Sequence, residues 1–343
     1  MDRKAEEHAL SIFRSQLSSL SAYMDDPDVQ EIMVNGPDQV WVEKKGQMTS
    51  VSGIEISDVN MRAAIKALAG ANSKDVRPVL DCRMTGYRIA AALHPVGIRG
   101  NALCIRKHAR SRRRLDDYIA QGAFEPADAK IDFVEPRPDP EEVRKGGRAV
   151  ADMIAWMVKA KQNIIVSGAT GSGKTTFLNA LLAELPDDER VVTIEDTAEL
   201  QVAVSNYVGL EASEAHDVTI RSLVRLSLRM RPDRIIVGEV RGPEAYDMLD
   251  AMNTGHSGGA CSMHADNPIL ALARLESMVR MNQDAATLPL PALRQQIANT
   301  FHFVIHCSRH DGVRGPDEII EILGVKDGEY LTSQIFSRKG EFL

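Results

Sequence analysis

Asn163-Ile164-Ile165-Val166-Ser167-Gly168-Ala169-Thr170-Gly171-Ser172-Gly173-Lys174-Thr175-Thr176 decides the fold of this 343-residue chain. Its first five residues are an apolar run of strand length. The next eight fit G-x-x-x-x-G-K-[ST] at every fixed position, and Phe177 to Leu182 continue with helical character. Strand, loop and helix in that order are the setting of a P-loop. Glycines permit backbone conformations that a Cβ closes, so successive N–H groups turn toward phosphate oxygens. The helix opening at Gly173 adds free N–H groups and its positive dipole end. Gly168, Ala169, Thr170, Gly171, Ser172, Gly173, Lys174, Thr175 and Thr176 are therefore the expected nucleotide-binding residues. Lys174 carries a point charge to the β- and γ-phosphates, and the Thr175 hydroxyl is a ligand for Mg²⁺. A Gly/Ser-rich turn without a ligand is the plainer reading of such a loop, and the full match in its setting speaks against it.

Downstream, Arg190 to Asp196 reads as a strand ending in two carboxylates, Leu223 to Met230 as a helix, and Asp233 to Arg241 as a second strand with Glu239 near its end. Apolar strands alternating with helices predict a largely parallel sheet with ligands at the strand C-terminal ends. A usual P-loop NTPase has an Asp at the end of the second strand; here that position is Gly238. Direct metal ligation then falls to Thr175, with Glu239 ordering metal-bound waters. Glu195 is the preferred general base, although these residues alone leave open which of the two carboxylates activates water. An N-cap or a surface ion pair is the plain alternative for either one. His256 and His264 flank a glycine-rich turn and suggest γ-phosphate sensing or coupling; a third ligand at zinc spacing is missing. No [NT]-K-x-D stretch reads guanine, which favours ATP. Ala271 to Met281 and Pro291 to Asn299 look helical, and Phe303 to Ile305, Ile319 to Leu323 and the Tyr330 region look like closing strands.

Upstream, residues 3–20 have helical spacing, consistent with a membrane-surface helix or, more commonly, one that covers its own domain or docks on a neighbouring subunit. Strand-like pieces joined by Asn35-Gly36 and Lys45-Gly46, a helix over Met61 to Ala71, and strands at 78–81, 88–92 and 102–106 predict a compact α+β unit. Arg106, Lys107, Arg110, Arg112, Arg113 and Arg114 form a basic cluster, read as a solvated linker or subunit contact, or as a site for lipid headgroups or nucleic acid. Four prolines within 124–140 are linker composition, and Glu141 to Ala160 looks helical. The expected fold class is α/β: a RecA-like P-loop NTPase domain with a largely parallel sheet over 139–343, a linker over 108–138, and a smaller α+β N-terminal domain over 1–107.

A net charge of −7 argues against a general nucleic-acid coat. Cys82, Cys104, Cys261 and Cys307 form no C-x-x-C pair and read as buried reduced thiols. No apolar run has membrane-span length and no signal-peptide region opens the chain, so a cytoplasmic location with peripheral membrane attachment is expected.

With these residues in view, the sequence resembles the secretion traffic ATPases of type II and type IV systems. RPDRIIVGEVRGPEAYDMLDAMNTGHSG, Arg231 to Gly258, is similar to their joined Walker B and histidine boxes, and TIEDTAEL, Thr193 to Leu200, to their aspartate box. DDPDVQEIMVNGPDQVWVEKKG, Asp25 to Gly46, resembles their N-terminal domain. The resemblance covers roughly residues 20–310 and is strongest to the conjugal-transfer TrbB type, akin to the VirB-type ATPases. It implies a homohexameric ring with ATP between the two domains of each protomer. It also implies Glu195 as the water-activating residue, Glu239 as the Walker B acid, and His256 and His264 as coupling residues. Arginines from the N-terminal domain would reach the phosphates, best matched by Arg88 in GYR and Arg106 in IRK, with Arg231 and Arg241 behind them. Two departures narrow the placement: the zinc-binding tetracysteine region of type II assembly ATPases and the AIRNLIRE signature of retraction ATPases are both missing. The function implied is an inner-membrane-associated ATPase that powers conjugative DNA transfer or pilus assembly together with inner-membrane components. Competing readings are a tight-adherence pilus ATPase, a RecA-like nucleic-acid motor, and a nucleotide-regulated docking protein. Whether the chain binds nucleic acid directly stays open.

Overall fold

The computed structural model describes residues 3–72, 74, 77–108, 114–125 and 136–340. Six strands, β1 (Val29–Val34), β2 (Val40–Lys44), β3 (Gln47–Val51), β4 (Val79–Met84), β5 (Tyr87–Ala92) and β6 (Ala102–Lys107), form an antiparallel sheet in the order β3-β2-β1-β6-β5-β4. Lys45 and Gly46, both at positive φ, make the two-residue turn between β2 and β3. Strand alternation splits this sheet between two cores. Ile32, Val34, Ile89, Leu103 and Ile105 pack under the helices Arg3–Gln16 and Asp58–Ala71. Met33, Ala90, Ala92, Ala102 and Cys104 point the other way, into the core of the second sheet. Phe13, Leu17, Leu20 and Met24 are buried in the first core, so the N-terminal helix covers its own sheet.

Eight further strands form the second sheet: β7 (Ile164–Gly168), β8 (Val191–Glu195), β9 (Tyr207–Glu211), β10 (Arg234–Val237), β11 (Ala260–Met263), β12 (Phe303–His310), β13 (Val313–Lys326) and β14 (Glu329–Ser337). Their order is β14-β13-β12-β7-β11-β10-β8-β9. From β12 to β9 all neighbours are parallel, whereas β13 and β14 are antiparallel additions at one edge. The sheet is thus mixed and mostly parallel, within an α/β architecture.

Three sequence expectations change. The helical stretch expected over Glu141 to Ala160 is broken into two, Pro140–Arg144 and Arg148–Lys159, because Gly146 and Gly147 between them adopt φ of +82° and +66°. Strands β9 and β11 add to those expected from sequence, β11 lying inside the Gly- and His-rich stretch. The expected linker contains a short helix, Leu115–Ala120, while Arg110, Arg112 and Arg113 of the basic cluster lie outside the described residues.

The two sheets meet along a seam. The Ile98 N–H donates to the Gly209 carbonyl at 2.9 Å and the Glu211 N–H to that of Val96 at 2.8 Å, tying the β5–β6 connection to edge strand β9. The Arg99 guanidinium stacks 4.5 Å above the Tyr207 ring. Beneath them Arg190, 1% exposed, donates to Asn35, Asn206 and the Met230 carbonyl. All four cysteines are free and buried.

Candidate active site

The phosphate-type loop lies between β7 and the helix Lys174–Leu182. A Cβ at Gly168 would stand 2.3 Å from the Cys307 carbonyl oxygen and 2.5 Å from Ser172 Oγ, so only glycine fits where β12 pairs with the end of β7. Gly173 opens the helix at φ +93°, closed to most side chains. Lys174 Nζ donates to the Gly168 and Ala169 carbonyls, both at 3.0 Å, and lies 3.5 Å from His264 Nδ1. Burial lowers the Lys174 pKa.

Next to the loop, the C-terminal ends of β8 and β10 form a cleft of about 100 Å³ lined by Thr175, Glu195, Asp196, Gly238, Glu239 and Arg241. Glu195 ends β8. Its Oε2 accepts the N–H groups of Glu199 and Leu200 at 2.7 and 2.8 Å, and its Oε1 is buried without a hydrogen-bond partner. Burial raises its pKa above the ordinary carboxylate range, against the opposing pull of those two N–H groups. Gly238 stands where an aspartate is usual. A Cβ there would be 3.1 Å from Glu195 Cγ, so a side chain at this position would press on Glu195 by a few tenths of an ångström.

Glu239 Oε2 accepts a 2.7 Å hydrogen bond from Arg241, which lowers the Glu239 pKa. Its Oε1 is 3.1 Å from His264 Nε2 but off the line of a hydrogen bond, and is left without a bonded donor. Arg241 also reaches Asp196 at 3.3 Å. Burial, then the Lys174 charge, lower the His264 pKa, which favours a neutral ring between an ammonium and a carboxylate. The arrangement can hold a polyphosphate in the loop and present two unpaired carboxylate oxygens, Glu195 Oε1 and Glu239 Oε1, beside it.

Residues 143–315 match the model of the type II/IV secretion system protein family. The conjugal transfer protein TrbB of Rhizobium radiobacter is 32% identical over 91% of this chain and 90% of its own length. The type IV secretion system protein VirB11 of Brucella suis is 33% identical over 91% and 89%. The crystal structure of the Brucella suis VirB11 ATPase in complex with sulphate superposes with a TM-score of 0.80 at 30% identity, covering 92% of this chain and 96% of that one.

The chain belongs to the type II/IV secretion system protein family. It is an ATP-hydrolysing secretion ATPase of the kind that serves type IV secretion and conjugal transfer.

Within this secretion ATPase the expected site residues separate into two groups. Lys174, Thr175, Glu195, Glu239 and His264 come together at the cleft. His256 does not: its Nδ1 lies 3.2 Å from the Ala251 carbonyl, at the end of the helix Glu244–Asn253. Arg88 and Arg106 face each other across β5 and β6. Arg88 pairs with Asp81 at 3.0 Å and Arg106 with Glu31 at 2.7 Å. Neither is brought to the loop within this chain. Arg231 pairs with Glu43 and Asp233, whereas Arg241 sits in the cleft itself. Sequence reasoning missed one further pair, Ser167 Oγ and His306 Nδ1, 3.0 Å apart and buried where β12 pairs with β7 just before Gly168. A polar His306 directly after the apolar run Phe303-Val304-Ile305 was the signal available for it.

Proposed function

We propose that this chain powers conjugative DNA transfer, or the pilus assembly associated with type IV secretion, as a homohexameric ring that hydrolyses ATP and acts on inner-membrane components. The observation that carries this reading is the buried, unpaired Glu195 Oε1 in the cleft beside Thr175 and Glu239. Glu195 is the general base: two N–H groups fix one oxygen, and the other is free to take a proton from water. Lys174 and the loop from Gly168 to Thr176 bind the phosphates.

Thr175 and Glu239 suit Mg²⁺. Both line the cleft, and Glu239 Oε1 is an orphaned buried acceptor. Among the described residues no group of three or more His, Cys, Asp or Glu forms a metal cage, so phosphate oxygens and waters would complete the shell. Bound there, Mg²⁺ would neutralise charge on the β- and γ-phosphates.

A phosphate in the loop competes with the Gly168 and Ala169 carbonyls for Lys174. His264, wedged between Lys174 and Glu239, registers that exchange. We read the eight-stranded sheet and its helices, 139–343, as a RecA-like motor domain. The smaller domain over 1–107 is joined to it through 108–138. Arg88 and Arg106 enter as arginines that leave Asp81 and Glu31 and reach phosphate when the two domains re-set against each other. His256 belongs to the same coupling. No described helix is long and apolar enough to cross a membrane, consistent with peripheral association.

The test is solution mass with and without ATP and Mg²⁺, run beside a phosphate-release assay on wild type and Glu195→Gln. A nucleotide-stabilised hexamer, hydrolysing only as wild type, is the expected result. A monomer with unchanged turnover in the variant would overturn both the ring and the role of Glu195.

A further inference from the structure

The hairpin of β12 and β13 overhangs the nucleotide loop and carries two arginines that make no ion pair among the described residues. The last β12–β7 pair is Cys307 with Gly168, but β12 continues to His310 and returns along β13 from Val313. Arg309 and Arg314 occupy directly opposite positions on this overhang. Opposed residues of an antiparallel pair project from the same face, and like charges placed so are destabilising. Neither guanidinium makes a hydrogen bond or ion pair among the described residues, and Arg314 is exposed.

That face is turned to the loop. A Cβ built on Gly173 would be 3.2 Å from Arg314 Cβ and 3.9 Å from its Cδ, so the arginine stem lies against the first turn of the phosphate-binding helix. Two unpaired arginines beside a loop built for phosphate are explained by an anionic ligand that completes them.

Sheet order indicates which end of the ligand they meet. His264, Glu239 and Glu195 follow or end β11, β10 and β8, all on one side of β7, and β12 and β13 lie on the other. A nucleotide with its γ-phosphate toward the carboxylates therefore extends its other end toward the hairpin.

We propose that Arg314, supported by Arg309, is a nucleotide-binding residue that contacts the α-phosphate and base end common to ATP and ADP. Arginine suits this role because its planar fork pairs with phosphate oxygens and stacks on a base. This rests on the ATPase reading above and specifies its binding site further.

The experiment measures the affinity of ADP and of a non-hydrolysable ATP analogue, with KM and kcat for ATP, in wild type, Arg314→Met and Arg314→Lys. Methionine keeps an apolar stem against Gly173 and removes the charge. Loss of a charge-assisted contact should weaken both nucleotides about tenfold or more. KM should rise to match with kcat within about twofold, and lysine should recover part of the loss as a point charge. Unchanged affinity in Arg314→Met, loss for the ATP analogue alone, or a fall confined to kcat would each overturn the proposal. Should Arg314→Met fail to fold, Arg309→Met must show the same shared loss, at smaller size, or the proposal falls. Wild type that binds neither nucleotide would instead overturn the ATPase reading.

Discussion

The cleft and the seam between the two sheets are both polar and both buried, yet they treat their polar atoms in opposite ways. In the seam, Arg190 is enclosed by acceptors from both sheets, and its own N–H donates to Asp233 at 2.8 Å. Nearby, Arg234 bonds Glu189 and the carbonyls of Val158 and Gly258. Of the four buried side-chain atoms that lack a hydrogen-bond partner among the described residues, three belong to the site: Ser172 Oγ, Glu195 Oε1 and Glu239 Oε1. Unmade hydrogen bonds in the interior are costly, so such concentration indicates where a ligand is meant to supply the partners. The seam spends its polar groups on stability, while the cleft holds them in reserve.

The strongest way to break this contrast is Glu195→Gln. Removing a positioned general base should lower turnover by about 10²–10⁴ while nucleotide binding persists. Phosphate release and a fluorescent-nucleotide titration read the two separately, and full turnover would mean that the orphaned oxygen is not the base. Its titration sharpens the same point. Burial raises the Glu195 pKa in the nucleotide-free protein and hydrolysis needs the carboxylate, so acidification should depress wild-type kcat/KM above the ordinary glutamate value of 4.5. An acid limb below that value would contradict the assignment.

In the seam, Arg190→Ala should cost on the order of 3 kcal/mol or more, since it leaves a cavity and strips Asn35, Asn206 and the Met230 carbonyl of a shared donor. Urea denaturation measures this. A loss below 1 kcal/mol would show that the seam carries little of the stability.

Arg241→Ala tests the cleft's internal compensation. It removes the hydrogen bond that depresses Glu239, so the Glu239 pKa should rise and turnover should drop about tenfold, the usual scale for a charged hydrogen bond. The drop should deepen as pH falls, because a raised Glu239 protonates sooner.

The smallest effect separates the two histidines. His256 lies away from the cleft in this state, so His256→Ala should lower turnover less than His264→Ala does. Equal losses would mean that His256 reaches the site in a state other than this one.

Much of this site was legible before folding. The loop, its lysine and threonine, and two carboxylates at strand ends are encoded in short stretches whose local geometry carries the chemistry. The helix break at Gly146-Gly147 is legible too, through the preference of glycine for positive φ. Strand β11 was harder: Ala260 to Met263 is only four residues, and its strand character comes from lying between β7 and β10.

Local sequence is enough to specify a P-loop because phosphate binding by backbone N–H groups depends on a few consecutive dihedrals. It is also enough to predict parallel strands, because burial on both faces leaves an uninterrupted apolar run. Only tertiary packing decided which arginine of several stands at the cleft, how closely Gly238 approaches Glu195, and that β12 and β13 project past the loop. Each of these depends on register between strands far apart in the chain. A single-residue shift of register reverses which face a side chain occupies, and no local preference constrains it.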